Sequence, residues 1–148
     1  MKLTLHNATK VAIYAADVST RLEIPYMGTS VQAGFPSPAD DFLEGTIDLN
    51  KELIKNKSAT FFVRAKGSSM KEAGIKSGDL LIVDKSIEAK NGNIAVCFID
   101  GDFTVKRIKI EMDCIYLLPA NSDFNPIKVT SENDFVIWGV VTNVIKSL

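Results

Sequence analysis

Residues 93–110 read NIAVCFIDGDFTVKRIKI, and this stretch decides the fold class. Two apolar runs of strand length, Asn93–Ile99 and Phe103–Ile110, flank the triplet Asp100-Gly101-Asp102. An Asp-Gly pair between two such runs is a strong short-range signal of a tight hairpin. The stretch therefore predicts two neighbouring antiparallel strands, with Lys106 near the middle of the second one.

The same pattern continues through most of the chain from residue 60 onward. Short apolar runs alternate with turn residues, which is typical of a mostly antiparallel sheet or barrel. We therefore predict a mostly β fold, a compact antiparallel sheet or barrel-like domain with short helices and an extended N-terminal arm. The predicted strands are Phe61–Ala65, Asp79–Asp84, Asn93–Ile99, Phe103–Ile110, Cys114–Leu118 and Phe135–Ile145.

Two short helices are expected ahead of the first strong strand. Ser37 is suited to cap a helix over residues 38–45, and Asp48 is suited to cap a second helix over residues 49–54. Further upstream, residues 1–32 show no sustained helical period, and only Val11–Tyr14 looks like a short strand. We interpret this region as a loosely packed arm, with an extra edge strand followed by a loop as the alternative.

The composition and charge of the chain argue against several classes of function. The 148 residues suit one domain with a net charge of −1, so strong direct binding to nucleic acid is not expected. No apolar run approaches the ~20 residues of a membrane span and no signal peptide is visible, so we expect a cytoplasmic protein. Cys97 and Cys114 lie in apolar runs, and His6 is the one histidine, so we expect buried thiols and no metal site.

The stretch Lys66-Gly67-Ser68-Ser69-Met70 follows the first predicted strand and can hold a serine on a turn. A serine hydroxyl is a poor nucleophile until a base within hydrogen-bond reach takes its proton. Because the single histidine lies in the irregular N-terminal region, a lysine is the better candidate. Lys106 shares strand parity with Thr104 and Ile108, and a mainly apolar face favours the neutral amine that a base requires. We therefore predict a catalytic pair of Ser69 and Lys106.

Acyl transfer also requires hydrogen-bond donors for the developing oxyanion. The backbone N–H groups of Ser68 and Ser69, at the tight turn, are the expected supply. On these residues alone a structural alternative stays open. Ser69 can be an ordinary turn or N-cap residue, and Lys106 can reach solvent along the sheet edge.

Three motifs together resemble the LexA/UmuD family of self-cleaving serine peptidases, and within it the UmuD branch. The similarity covers the chain from about Gln32 to its C-terminus. Gln32–Ala39 resembles the cleavage-site region of the family, Gly67–Met70 resembles its nucleophile motif, and Phe103–Lys106 resembles its lysine strand. The spacing between the serine and the lysine also agrees with the family.

The resemblance implies a fold like that of LexA and signal peptidase, and a role for each matched residue. Ser69 would be the nucleophile, Lys106 the general base, and the bond between Ala33 and Gly34 the substrate. Residues 1–33 would be an arm removed by self-cleavage, and residues 34–148 a Ser-Lys peptidase domain. The family further implies a homodimer without a cofactor, activated in the SOS response by a RecA filament on single-stranded DNA. The shortened form would bind a UmuC-like subunit of translesion DNA polymerase V.

A LexA repressor is not expected, because the 33 residues before the implied bond lack the pattern of a helix-turn-helix domain. Another autopeptidase of the LexA type and a non-enzymatic polymerase-binding adaptor are the alternatives. A signal-peptidase-like enzyme shares Ser-Lys chemistry but requires a membrane anchor, for which the sequence has no apolar run.

Overall fold

The structure is a computed structural model that describes residues 2–3, 12–21, 23–27 and 43–148. The chain divides into two compact units: Met1–Ala16 with Asn56–Leu148, and Asp17–Lys55. The larger unit contains nine strands: β1 (Lys2–Leu3), β2 (Ala12–Ala15), β5 (Thr60–Arg64), β6 (Leu80–Asp84), β7 (Ile94–Ile99), β8 (Asp102–Ile110), β9 (Ile115–Leu118), β10 (Ile127–Val129) and β11 (Phe135–Ile145). The smaller unit contains β3 (Glu23–Met27), β4 (Leu43–Asp48) and the helix α1 (Leu49–Leu53).

The nine strands of the larger unit form one sheet in the order β1-β2-β5-β6-β11-β7-β8-β9-β10. Every neighbouring pair in this order is antiparallel. The prediction of a mostly β, antiparallel domain is therefore confirmed. Within the described ranges, no helix is long and apolar enough to cross a membrane.

The hairpin of β7 and β8 forms where the sequence predicts it, with Ile99 paired to Asp102. Asp100 and Gly101 have φ angles of 48° and 91°, which suit the tight turn that joins such strands. One face of the hairpin packs into a core that contains Phe103 and Val96, and the other into a core that contains Ile108 and Cys97. Strand β8 is therefore covered on both faces.

The short strand predicted near Val11–Tyr14 is present as β2. It pairs with β5 from Ala12 opposite Arg64 to Ala15 opposite Phe61. Ile13 is only 1 % exposed and belongs to the core of the larger unit. For these residues the alternative of an extra sheet strand, rather than a loose arm, is the one that the structure contains.

In the smaller unit, β3 and β4 pair as an antiparallel ribbon, and α1 follows directly. Asp48 caps α1 as predicted, because its carboxylate accepts a hydrogen bond from the Asn50 N–H at 3.0 Å. The helix predicted over residues 38–45 is wrong at its C-terminal end, since residues 43–45 belong to β4. Pairing with β3 satisfies the backbone there, which outweighs the local capping signal.

Strand β10 was not predicted from the sequence. Its three residues lie at the edge of the sheet beside β9, with Val129 opposite Ile115. A run this short, between Pro126 and Thr130, gives no periodic pattern, and only the pairing with β9 makes it a strand.

Candidate active site

Ser69 lies on a turn whose first residues are fixed by backbone hydrogen bonds at the end of β5. After β5 ends, the Ala65 N–H donates to the Asp79 carbonyl at 2.8 Å, and the Gly78 N–H donates to the Ala65 carbonyl at 2.9 Å. The chain then turns through Gly67, whose φ of 93° suits glycine, into a short 3-10 turn over Lys71–Ala73. The strand and the turn predicted around the serine are therefore both present.

Lys106 reaches Ser69 from the middle of β8. It is 7 % exposed, and its Nζ lies 3.1 Å from the Ser69 Oγ. The same nitrogen lies 2.6 Å from the Thr104 Oγ1 and 3.2 Å from the Val105 carbonyl oxygen. The structure thus brings together the serine and the lysine that the sequence singles out, and adds Thr104 as a contact of the amine.

The three contacts have different meanings for the two protonation states of the lysine. An ammonium group has three N–H donors, which match the three oxygens around Nζ. A neutral amine keeps two donors and one lone pair. With Thr104 and Val105 accepting the two N–H groups, the lone pair faces the Ser69 hydroxyl, which is the arrangement that a general base requires.

The surroundings of Lys106 on its face of β8 are largely apolar. The neighbouring strand places Ala95 opposite Lys106 and Cys97 opposite Thr104. Burial raises the pKa of the Cys97 thiol to about 12, although the positive charge of Lys106 acts in the other direction. The thiol therefore stays neutral near pH 7 and adds no negative charge that would hold the lysine as an ammonium ion.

Residues that follow β9 are hydrogen-bonded to the turn that carries Ser69, here called the nucleophile turn after the proposed role of Ser69. The Ala120 N–H donates to the Ser69 carbonyl at 2.8 Å, and the Glu72 N–H donates to the Ala120 carbonyl at 2.8 Å. Asn121, which is 5 % exposed, donates from Nδ2 to the Ser68 carbonyl at 2.9 Å. The sequence analysis missed these contacts, because no local pattern connects residues so far apart in the chain.

The backbone N–H groups of Ser68 and Ser69 donate to no protein group in the described part of the chain. Ser68 and Ser69 line a groove of about 590 Å³ together with Lys106 and Thr104. Its apolar lining includes Phe124 and Ile127. A groove of this size beside a sheet can accept an extended peptide next to Ser69 and Lys106.

Ala33 and Gly34, the residues of the implied cleavage site, lie outside the described residues. Both belong to the connection between β3, which ends at Met27, and β4, which begins at Leu43.

Comparison with known proteins identifies the family of the chain. Residues 25–142 match the family described as peptidase S24-like. The chain belongs to the peptidase S24-like family. Protein MucA of Salmonella typhimurium is 39% identical over 137 residues, which cover 90% of this chain and 92% of MucA. Protein SamA of Salmonella typhimurium is 47% identical over 110 residues, which cover 74% of this chain and 76% of SamA.

The LexA repressor of Xylella fastidiosa is a further relative of this S24-like chain. It is 38% identical over 144 residues, which cover 97% of this chain and 66% of the repressor. The resemblance to the LexA/UmuD family of self-cleaving peptidases, inferred from the motifs, is thereby confirmed. Family membership also supports the coarser prediction of a serine peptidase.

Proposed function

We propose that this chain is a serine peptidase that cleaves its own bond between Ala33 and Gly34. Ser69 is the nucleophile and Lys106 is the general base. The observation that carries the proposal is the 3.1 Å contact between the buried Lys106 amine and the Ser69 hydroxyl, beside a groove. A buried lysine held against a serine on a turn has a clear chemical use, because burial favours the neutral amine that can take the proton.

The first half of the reaction forms an ester. The lone pair of neutral Lys106 takes the Ser69 proton while Oγ attacks the carbonyl carbon of Ala33. The carbonyl oxygen becomes an oxyanion, for which the N–H groups of Ser68 and Ser69 are the proposed donors. Lys106 then gives its proton to the nitrogen of Gly34, and the C–N bond breaks.

The second half regenerates the serine. A water molecule gives a proton to neutral Lys106 and attacks the ester carbonyl between Ala33 and Ser69. The C–O bond to Oγ breaks, and Lys106 returns the proton to Ser69. The products are a chain that ends with the Ala33 carboxylate and a chain that begins with the Gly34 amine, so we propose domain limits of 1–33 and 34–148.

The substrate is part of the same polypeptide, so its local concentration is high and modest chemistry suffices. The two residues at the bond, Ala33 and Gly34, are small, which lets the backbone approach the nucleophile closely. A peptide in an extended conformation can dock along a groove beside a sheet, which is how we propose that the bond reaches Ser69. Either the same chain or the partner of a homodimer can supply the segment.

The biological role that we propose is that of an SOS-response protein. A RecA filament on single-stranded DNA would stabilise the docked segment and so raise the population that cleaves. The shortened chain, as a cytoplasmic homodimer, would then serve as accessory subunit of a UmuC-like translesion polymerase. The similarity to MucA and to a LexA repressor supports this placement.

Intact-mass spectrometry of the purified protein tests the activity and the cut position together. Incubation between pH 7 and pH 10, with and without a RecA filament, should yield fragments that end at Ala33 and begin at Gly34. The rate should rise toward alkaline pH, because the neutral form of Lys106 becomes more populated. A chain that stays intact in all of these conditions would refute the peptidase function and favour a non-enzymatic adaptor.

Variants test the assigned residues. Ser69→Ala and Lys106→Ala should each stop the cut while circular dichroism shows a folded protein. Ser77→Ala and Lys109→Ala are matched controls, because both side chains are exposed and neither lines the groove. Normal cleavage by Lys106→Ala would show that another group is the base.

A further inference from the structure

One peptide unit connects the nucleophile turn to the segment after β9. The peptide between Ser68 and Ser69 carries the Ser68 carbonyl and the Ser69 N–H. In a planar trans peptide these two groups point in opposite directions. The hydrogen bonds that hold the Ser68 carbonyl therefore also set the direction of the Ser69 N–H, which is one of the two donors proposed for the oxyanion.

Asn121 makes the shorter of the two hydrogen bonds to that carbonyl, and the Lys71 N–H makes the other at 3.2 Å. The Asn121 Nδ2 donates to the Ser68 carbonyl at 2.9 Å, and its Oδ1 accepts a hydrogen bond from the Asp123 N–H at 3.0 Å. Since both ends of the side-chain amide are engaged, its orientation is fixed. Asn121 is 5 % exposed, and exclusion of water strengthens hydrogen bonds of this kind.

The next carbonyl along the turn is held as well. The Ser69 carbonyl accepts from the Ala120 N–H at 2.8 Å. Two successive carbonyls of the nucleophile turn thus bond to two successive residues of one segment. This pairing leaves the turn little freedom to rotate its peptide planes, while the Ser69 N–H is not engaged by any protein group in the described part of the chain.

We propose that Asn121 is a positioning residue for self-cleavage: by holding the Ser68 carbonyl, it directs the Ser69 N–H into the groove as an oxyanion donor. The proposal rests on the proposed function. Asn121 makes no hydrogen bond to the Ser69 hydroxyl or to Lys106, so it acts through the backbone alone. Loss of an oxyanion donor costs about 100- to 1,000-fold in rate, so a donor that is misdirected but present should cost roughly 10- to 100-fold.

Two substitutions remove the Nδ2 donor of the Asn121 side chain and keep an oxygen acceptor. Asn121→Asp and Asn121→Ser each keep a side-chain oxygen that can accept from the Asp123 N–H. The aspartate has no proton to donate to the Ser68 carbonyl at neutral pH, and the serine hydroxyl lies one bond nearer to the backbone than Nδ2 and so falls short of that carbonyl. The serine variant adds no charge near Lys106. Asn91→Asp is the matched control, because Asn91 also accepts a backbone hydrogen bond, from the Ile110 N–H, but does not line the groove.

The measurement is the first-order rate of self-cleavage from pH 7 to pH 11, followed by intact mass. Both Asn121 variants should reach an alkaline plateau about 10- to 100-fold below that of the wild type. The pH midpoint of the serine variant should be unchanged, because the base is not touched. Asn91→Asp should cleave at the wild-type rate.

The other outcomes overturn the proposal in distinguishable ways. A folded Asn121 variant that cleaves within twofold of the wild type refutes the positioning role alone. A shifted pH midpoint in Asn121→Ser shows that the residue acts through Lys106 instead. If both variants are unfolded by circular dichroism, Asn121 is a structural residue and not a positioning one. A wild type that stays intact refutes the proposed function, and the role of Asn121 with it.

Discussion

Replacing Thr104 with valine should change the self-cleavage reaction in two opposite ways. Valine has nearly the shape of threonine, so β8 keeps its packing. What is lost is the acceptor that lies 2.6 Å from the Lys106 amine, while the contacts of that amine with Ser69 and Val105 remain. The variant therefore isolates one of the three oxygens around the proposed base.

The first effect is on the protonation equilibrium. An ammonium group donates to Thr104 more strongly than a neutral amine does, so removing the acceptor destabilises the charged form. A hydrogen bond to a charged group contributes about 1.5–3 kcal/mol, and about 1.4 kcal/mol corresponds to one pH unit. The neutral amine also loses a hydrogen bond of about 1 kcal/mol, so the difference between the two protonation states is about 0.5–2 kcal/mol. The midpoint of the pH–rate curve should therefore move to lower pH by roughly half a unit to one and a half units.

The second effect is on the orientation of the neutral amine. Thr104 accepts one of the two N–H groups whose placement directs the lone pair at Ser69. Losing a neutral hydrogen bond of about 1 kcal/mol should lower the alkaline plateau of the rate by roughly fivefold. At neutral pH the two effects oppose each other, and above the midpoint only the loss remains.

The assay is the first-order rate of self-cleavage between pH 7 and pH 11, measured by intact mass for the wild type and Thr104→Val. Thr142→Val is the matched control, because Thr142 donates to the Ile82 carbonyl from β11 and does not line the groove. A Thr104→Val curve that coincides with the wild-type curve at every pH would refute the reasoning that Thr104 orients Lys106.

Cys97 should resist iodoacetamide at pH 8 until the protein is unfolded, because burial raises the pKa of its thiol to about 12; peptide mapping that finds it modified in the folded state would contradict this. Lys146→Met should lower the free energy of unfolding at pH 7 by on the order of 1 kcal/mol, because Lys146 donates to Asp79 and holds the pKa of that carboxyl below its usual range. The contribution of this pair is lost as the pH falls through the lowered pKa, so urea curves of the two proteins should converge well below pH ~4. Gly139→Ala should cost about 1–3 kcal/mol, since the new Cβ would lie 2.6 Å from the Val83 Cγ1; an unchanged thermal midpoint would show that the sheet relaxes there.

Local chemistry explains which parts of the fold the sequence could predict. The turn at Asp100 and Gly101 needs positive φ angles, and the flanking runs have strand length, so the β7–β8 hairpin is specified within residues 94–110. Strand β10 and the N-terminal part of β4 are specified by their partners instead. Their residues lack a strong pattern of their own, and the backbone pairing with β9 and β3 decides their conformation.

The candidate site also has one part that the sequence could predict and another part that it could not. The proximity of Ser69 and Lys106 could be predicted, because a serine nucleophile would need a base and strand parity placed the lysine on a covered face. The contacts that hold the turn, from Ala120 and Asn121, could not be predicted, because they join residues about 50 positions apart through one carbonyl each. Such contacts depend on how β9 lies beside β8, which only the assembled sheet determines.

The sheet order also bears on what self-cleavage would accomplish. Strand β2 precedes the proposed bond in the chain, yet it pairs with β5, and Ile13 fills the core beside Val63. Cutting between Ala33 and Gly34 breaks one covalent bond and none of these contacts. Full burial of an isoleucine side chain contributes about 1.5–3 kcal/mol, and the strand pairing adds to it, so cleavage and loss of residues 1–33 are separable steps. Native mass spectrometry of freshly cut protein should therefore detect both fragments in one complex, and a urea step should separate them.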